Sequence, residues 1–235
     1  DAIRNCNNII YYPTANSHFI YSVQDEVGTV TILGFTEGID LTQFVEIRLP
    51  WQIQGHPVTV IGQDAFKGNE TLERVIISDN TTVIGDGAFM GCKNLKSVYM
   101  CNVRTIGANA FSGCEMLNSI TIPDSVTSIG AGAFYDCHNL RSITIPKSVT
   151  SIGAEAFSGC YNLRSITIPG SVLSIGADVF FGCSSLSAIY VDGTNTEYKD
   201  IDGVLFTSSG KTLIKYPSAK PEGDYAIPDG TESIS

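Results

Sequence analysis

The sequence predicts an elongated α/β solenoid, with a parallel β-sheet on one face, short helical or 3₁₀ segments on the other, and β-rich irregular ends. Two observations predict it. The pattern Val-x-x-Ile-Gly-x-x-Ala-Phe-x-x-Cys-x-x-Leu-x-x-Ile-x-Ile recurs six times, most cleanly over Val126–Ile145 and Val149–Ile168. Within each copy a stretch such as Leu140-Arg-Ser-Ile-Thr-Ile145 alternates apolar and polar residues, the period-two signature of a half-buried strand. Self-similarity at a fixed period marks a repeat architecture, because one unit cannot bury its apolar face alone and becomes stable by stacking on its neighbours.

The register holds residue by residue. Phenylalanine falls at Phe66, Phe89, Phe111, Phe134, Phe157 and Phe180, at intervals of 23, 22, 23, 23 and 23. Leu72, Leu95, Leu117, Leu140, Leu163 and Leu186 keep step as the residues that open each strand. Pro146 lacks a backbone donor and ends its strand in a turn. Val149 and Ile152 then point inward, Gly153 permits a sharp bend, and Ala156, Phe157 and Cys160 fill the far wall. The stretch from Gly153 to Gly159 has the length of a short helix or 3₁₀ piece. One elongated domain follows, divided into an N-terminal β-rich capping segment (1–57), six tandem repeats (58–191), an irregular hairpin unit (192–226) and the start of a further repeat (227–235).

Composition is 43% hydrophobic and 16% charged, which excludes a disordered chain, and no apolar run reaches membrane-span length. The net charge of -10 resides mainly at the ends: the array carries 8 basic and 10 acidic residues, the first 57 residues 2 and 6, and the last 44 residues 4 and 8. Nucleic acid is a poor partner for such a chain, since phosphate binding requires clustered cations. The final residues, Ile227-Pro-Asp-Gly-Thr-Glu-Ser-Ile-Ser235, match Ile122–Gly130, with no obvious polar cap. This leads us to expect a fragment of a longer protein, or self-association through an uncapped C-terminal end.

The residues of the repeat, Ile-Pro-x-Ser-Val-x-x-Ile-Gly-x-x-Ala-Phe-x-x-Cys-x-x-Leu, resemble the BspA-type class of leucine-rich repeats over 58–191. Gly28-Thr-Val-Thr-Ile-Leu-Gly34 and Ile53-Gln-Gly-His-Pro-Val58 look like that family's opening segment. Ile201-Asp-Gly-Val-Leu-Phe206 and Lys211-Thr-Leu-Ile-Lys-Tyr-Pro217 look like its irregular hairpin. The resemblance implies a secreted or surface-displayed protein of mucosal microbes, adhesive towards host or matrix components, with no catalytic motif to carry over.

The candidates for chemistry are few. Cys92, Cys114, Cys137, Cys160 and Cys183 share one repeat position and read as a buried structural column, like the phenylalanines, and no Cys-x-x-Cys pair suggests zinc. Cys6 and Cys101 lie outside the column and are the better candidates for a bond or a reactive thiol. His18, His56 and His138 are too scattered for a metal centre, and His56, before Pro57, reads as a turn residue. Asp192-Gly-Thr-Asn-Thr-Glu197 with Asp200 and Asp202 offers clustered oxygens for calcium, but Asp, Gly and Asn are ordinary turn formers. We expect no catalytic set, no metal and no cofactor.

The outward strand face remains. It presents serine and threonine columns flanked by Tyr99 and Tyr190, with Arg74 at one end. Beside them run Lys96, Arg141 and Arg164, then a variable column containing His138 and Tyr161. Arginine with aromatic residues is the usual anchor chemistry of an interface. These eight residues are the expected contacts for a host or matrix protein or a glycan. A spacer segment of a longer surface protein is the alternative function, and a thiol-dependent hydrolase a lesser one.

Overall fold

A computed structural model describes residues 16–24, 28–221 and 225–235. We number the coils one to six by their phenylalanines, Phe66 to Phe180. The chain winds as a β-solenoid with two parallel ladders. The first is built from the Val-x-x-Ile positions: Val83–Ile84, Thr105–Ile106, Ser128–Ile129, Ser151–Ile152 and Ser174–Ile175 stack in register, with Ile129 beside Ile106 and Ile152. His56–Ile61 and Thr29–Phe35 extend this ladder towards the N-terminus, and Phe19–Gln24 closes it as an antiparallel edge strand. His56 therefore begins a strand and is not a turn residue; its Nδ1 lies 3.2 Å from the Gly28 carbonyl oxygen.

The second ladder uses the Leu-x-x-Ile-x-Ile segments: Glu46–Arg48, Arg74–Ile76, Ser97–Tyr99 and Ser119–Ile120 form one sheet, Ser165–Ile168 and Ala188–Val191 another. Residues 142–145 of coil four, between them, belong to neither. One continuous sheet was expected on this face, and the structure divides it.

The expected short helices are absent. Among the described residues the helical pieces are the 3₁₀ turns Asn16–His18 and Leu41–Gln43, both ahead of the array. The physical reason is a pair of left-handed residues flanking every phenylalanine. Two positions before it stand Asp64, Gly87, Asn109, Gly132, Glu155 and Asp178, and two after it Gly68, Gly91, Gly113, Asp136, Gly159 and Gly182, all at positive φ. A right-handed helix cannot pass through such residues, and Asp, Asn and Gly are the types that reach this region at least cost. The backbone instead makes successive tight turns, as in Ala133 N–H to Gly130 O and Tyr135 N–H to Gly132 O. The intervening amides are thereby freed to bond between coils: Gly132, Phe134 and Asp136 donate to Ala154, Ala156 and Ser158 at 2.8 Å each. The same three positions repeat this in every pair of coils from one to six.

The glycine after each isoleucine has another origin than the bend first expected. Gly153 has no positive φ, but a Cβ there would lie 2.4 Å from the Ala131 nitrogen and 2.6 Å from its Cα. Adjacent coils approach so closely at this corner that only a hydrogen fits. Gly130 and Gly176 are in the same situation, at 2.5 and 2.3 Å from the preceding coil's backbone.

The interior is a set of columns. Phe66, Phe89, Phe111, Phe134, Phe157 and Phe180 stack face to face with centroids 5.3, 5.4, 5.6, 5.5 and 6.1 Å apart. Phe19 and Phe35 close the N-terminal end of this column against Phe66, at 6.3 and 5.1 Å. At the other end a hairpin unit, Tyr198–Ile201, Val204–Thr207 and Thr212–Lys215, packs beside Ala188–Val191, and Ser233–Ile234 pairs in parallel with its last strand.

Candidate recognition face

The cysteine column is structural in its geometry. Each of Cys92, Cys114, Cys137, Cys160 and Cys183 is fully buried, and each S–H donates to a phenylalanine carbonyl one coil earlier at 3.1–3.2 Å. Burial pushes the Cys92 thiol up to about 12 and the Cys183 thiol to about 11, and raises the three between them well above the ordinary value. Such thiols stay protonated at neutral pH and are poor nucleophiles. Cys101 is disulfide-bonded, and Cys6 lies outside the described residues.

A pH dependence follows. An unfolded thiol ionises near 9, while the folded ones hold their protons to about 11 or beyond. The unfolded state thus binds fewer protons above pH 9, so the stabilisation is full below pH 9 and is lost as pH rises towards 12. Denaturant midpoints are expected to fall between pH 8.5 and 10.5, and less steeply when Cys137 and Cys160 are replaced by alanine; equal slopes would contradict the assignment.

The acidic turn at Asp192 spends its oxygens internally. Asp192 accepts from the Thr194 hydroxyl and N–H, which hold its carboxyl below the ordinary range, and Asn195 accepts from the Glu197 and Tyr198 N–H groups. Asp200 accepts from Val191 N–H. Among the described residues no group of three or more His, Cys, Asp or Glu side chains could hold a metal ion.

On the strand face the eight candidate residues divide into distinct environments. Arg74 pairs with Glu46 at 2.9 Å and Lys96 with Glu73 at 2.7 Å, so the cations of coils one and two are compensated by neighbouring rungs. Tyr99 is half-buried, and Tyr190, near the hairpin, is half exposed. Arg141 and Arg164 are exposed and make no ion pair among the described residues. They sit on successive rungs, joined by the Arg164 N–H to Arg141 O bond at 3.3 Å. His138 and Tyr161, from the same two coils, stack with ring centroids 4.6 Å apart and planes 16° from parallel. The Asn162 side chain donates to His138 O at 2.8 Å and ties the two coils together.

The same region holds the interruption in the second ladder. Among the described residues Ser142, Ile143, Thr144 and Ile145 have no backbone–backbone hydrogen-bond partner, and no backbone bond joins residues 118–123 to 141–146. Shallow grooves lie here, one of about 400 Å³ at Asn118, Asn139 and Arg141 and another of about 460 Å³ along Asn118–Asp124 and Ser142–Thr144. Coils three to five therefore gather two guanidinium groups without an ion pair, a stacked aromatic pair, amide side chains and, on coil four, unpaired backbone donors and acceptors. Sequence columns located the side chains but missed the open backbone, and they missed the pairing of Arg74 because Glu46 precedes the array.

These features define a parallel-strand repeat solenoid, and the comparisons with known proteins place it. The chain matches the BspA type leucine rich repeat region in six copies, over residues 59–187 and 104–219, and belongs to that family. It is similar to a leucine rich cell surface protein of Faecalibacterium prausnitzii A2-165, at 31% identity and TM-score 0.69, covering 93% of this chain and 65% of that one. It is also similar to the pneumococcal vaccine antigen PcpA, at 25% identity and TM-score 0.81, covering 94% and 60%. A Treponema pallidum leucine rich repeat protein, at 23% identity and TM-score 0.52, shares the fold. The chain thus spans less than two thirds of the first two solved chains. No curated protein sequence matches it. Among the described residues no helix is long and apolar enough to cross a membrane.

Proposed function

We propose that this chain is a non-catalytic extracellular recognition module that binds a protein or glycan of host or matrix origin along its strand face, centred on coils four and five. The observation that carries this reading is the pair Arg141 and Arg164, exposed and uncompensated on a chain of net charge -10, beside the His138–Tyr161 stack. A ligand with carboxylate or sulfate groups would find there bidentate donors, a flat aromatic platform and free backbone amides. Display at the cell surface is supported by the family and by the surface protein it resembles, and the Cys101 disulfide suits an oxidising compartment.

The test passes the chain and its Arg141→Glu/Arg164→Glu variant over matrix proteins and mucosal glycans at physiological salt. We expect the double reversal to weaken a confirmed interaction by about tenfold or more, mainly when the ligand is anionic. Lys67→Glu, on the opposite wall and paired with Asp64, is expected to leave it unchanged. Equal binding by parent and double variant would remove this face from consideration.

A further inference from the structure

The two ladders use their hydroxyl groups differently. On and beside the first ladder they are spent between coils: Thr82, Thr127 and Thr150 donate to Thr59 O, Arg104 O and Thr127 O at 3.2–3.4 Å. Ser125, Ser148 and Ser171 donate to valine carbonyls of the preceding coil at 2.6–2.7 Å. On the strand face, Ser119, Thr121, Ser142, Thr144, Ser165 and Thr167 are all exposed, and none of their hydroxyls has a hydrogen-bond partner among the described residues.

These six residues form two columns over coils three to five, with Ile120, Ile143 and Ile166 buried between them. The threonine column ends on an aromatic ring in both directions. Tyr99 stands one rung before Thr121, in the register that sets Ile120 beside Val98, and Tyr190 stands beside Thr167. The two tyrosines are four rungs apart, roughly 19 Å at the spacing of neighbouring strands. Arg141 and Arg164 run along the side of this hydroxyl floor on successive rungs, and neither column contains a carboxylate.

Such a floor is poorly suited to a protein partner, because interface cores are enriched in apolar and aromatic groups, and serine and threonine are weak anchors. It suits a sugar. Each free hydroxyl offers one donor and two acceptors, the same inventory as a sugar hydroxyl, so bonds made to water are exchanged without leaving a group unpaired. A tyrosine ring receives the apolar face of a pyranose and keeps its O–H in water.

We infer that the ligand of this face is a linear glycan with an anionic group on successive sugars, laid along the solenoid axis from Tyr99 to Tyr190. The inference rests on the recognition face proposed above and narrows its ligand to one chemistry. Arginines one rung apart meet the charges of neighbouring sugars, the two columns bind sugar hydroxyls, and the rings hold the ends of the bound stretch.

Heparin oligosaccharides of two, four, six and eight sugars, which carry acid on every sugar, test this by titration calorimetry of the intact chain. Affinity is expected to rise with length until both rings are reached and then to level off. Tyr99→Thr and Tyr190→Thr introduce the residue that coils three to five carry at this position. Each is expected to weaken the octasaccharide by about tenfold and to leave the disaccharide unchanged. An affinity independent of length, or an octasaccharide indifferent to both tyrosine variants, would overturn the inference. So would the absence of heparin binding at any length, and if a matrix protein is then bound and lost in Arg141→Glu/Arg164→Glu, the proposed face stands without it. Heparin binding that survives this double reversal would remove the face and the inference together.

Discussion

Replacing Phe134 by alanine is expected to lower the stability of the chain by about 3–5 kcal/mol, the cost of emptying a fully buried ring site. Phe134 is completely inaccessible and stacks between Phe111 and Phe157 at 5.6 and 5.5 Å, so neither neighbour can collapse into the space without leaving its own partner. The damage falls on two interfaces at once, since stability in such an array is a sum of units and nearest-neighbour contacts. Denaturant unfolding of parent and variant measures it. A loss below about 1 kcal/mol would mean that the column is not the main contributor to stacking.

The second large effect concerns Gly153. Gly→Ala at an ordinary position stabilises a protein by about 0.4–1 kcal/mol through the unfolded state. Here the added Cβ would lie 2.4 Å from the backbone nitrogen of Ala131, an atom held in place by the stack. Gly153→Ala is therefore expected to destabilise by about 1–3 kcal/mol or more, as overpacking does. Gly193→Ala, where the new carbon meets nothing within 4 Å, should be close to neutral. A neutral Gly153→Ala would mean that the coils can part at this corner, and the close-approach account of the repeated glycine would fail.

These two residues also show what could be read from the sequence. The phenylalanine column was legible because its period marks a buried position whatever the backbone does. The glycine was legible as a requirement but was given the wrong cause, since a missing Cβ serves a bend and a close approach equally. The absent helices have a related origin: Asp64, Asn109 and Asp178 resemble helix-flanking polar residues, and only their positive φ reveals turn residues that block a helix. Glu155, at φ 56°, gives no such signal at all.

The recognition face was legible in its side chains and not in its backbone. Leu140-Arg-Ser-Ile-Thr-Ile-Pro146 and Leu163-Arg-Ser-Ile-Thr-Ile-Pro169 are identical in sequence, yet Ser165–Ile168 pairs in a ladder and 142–145 does not. The difference lies in the stacking of neighbouring rungs, and a residue pattern carries no record of it. Lys96 was expected as a free contact, and its pairing with Glu73 of the preceding rung emerges in the structure, as does that of Arg74 with Glu46, brought alongside by the strand Glu46–Arg48.

The central claim is that coil four opens the strand face beside Arg141 and Arg164, and amide exchange in the free chain tests it most directly. Because the two segments share one sequence, intrinsic exchange rates cancel. The account predicts that Ser142–Ile145 exchange at least about tenfold faster than Ser165–Ile168. Equal protection of the two segments would mean a continuous ladder, and the open face at coil four would be contradicted.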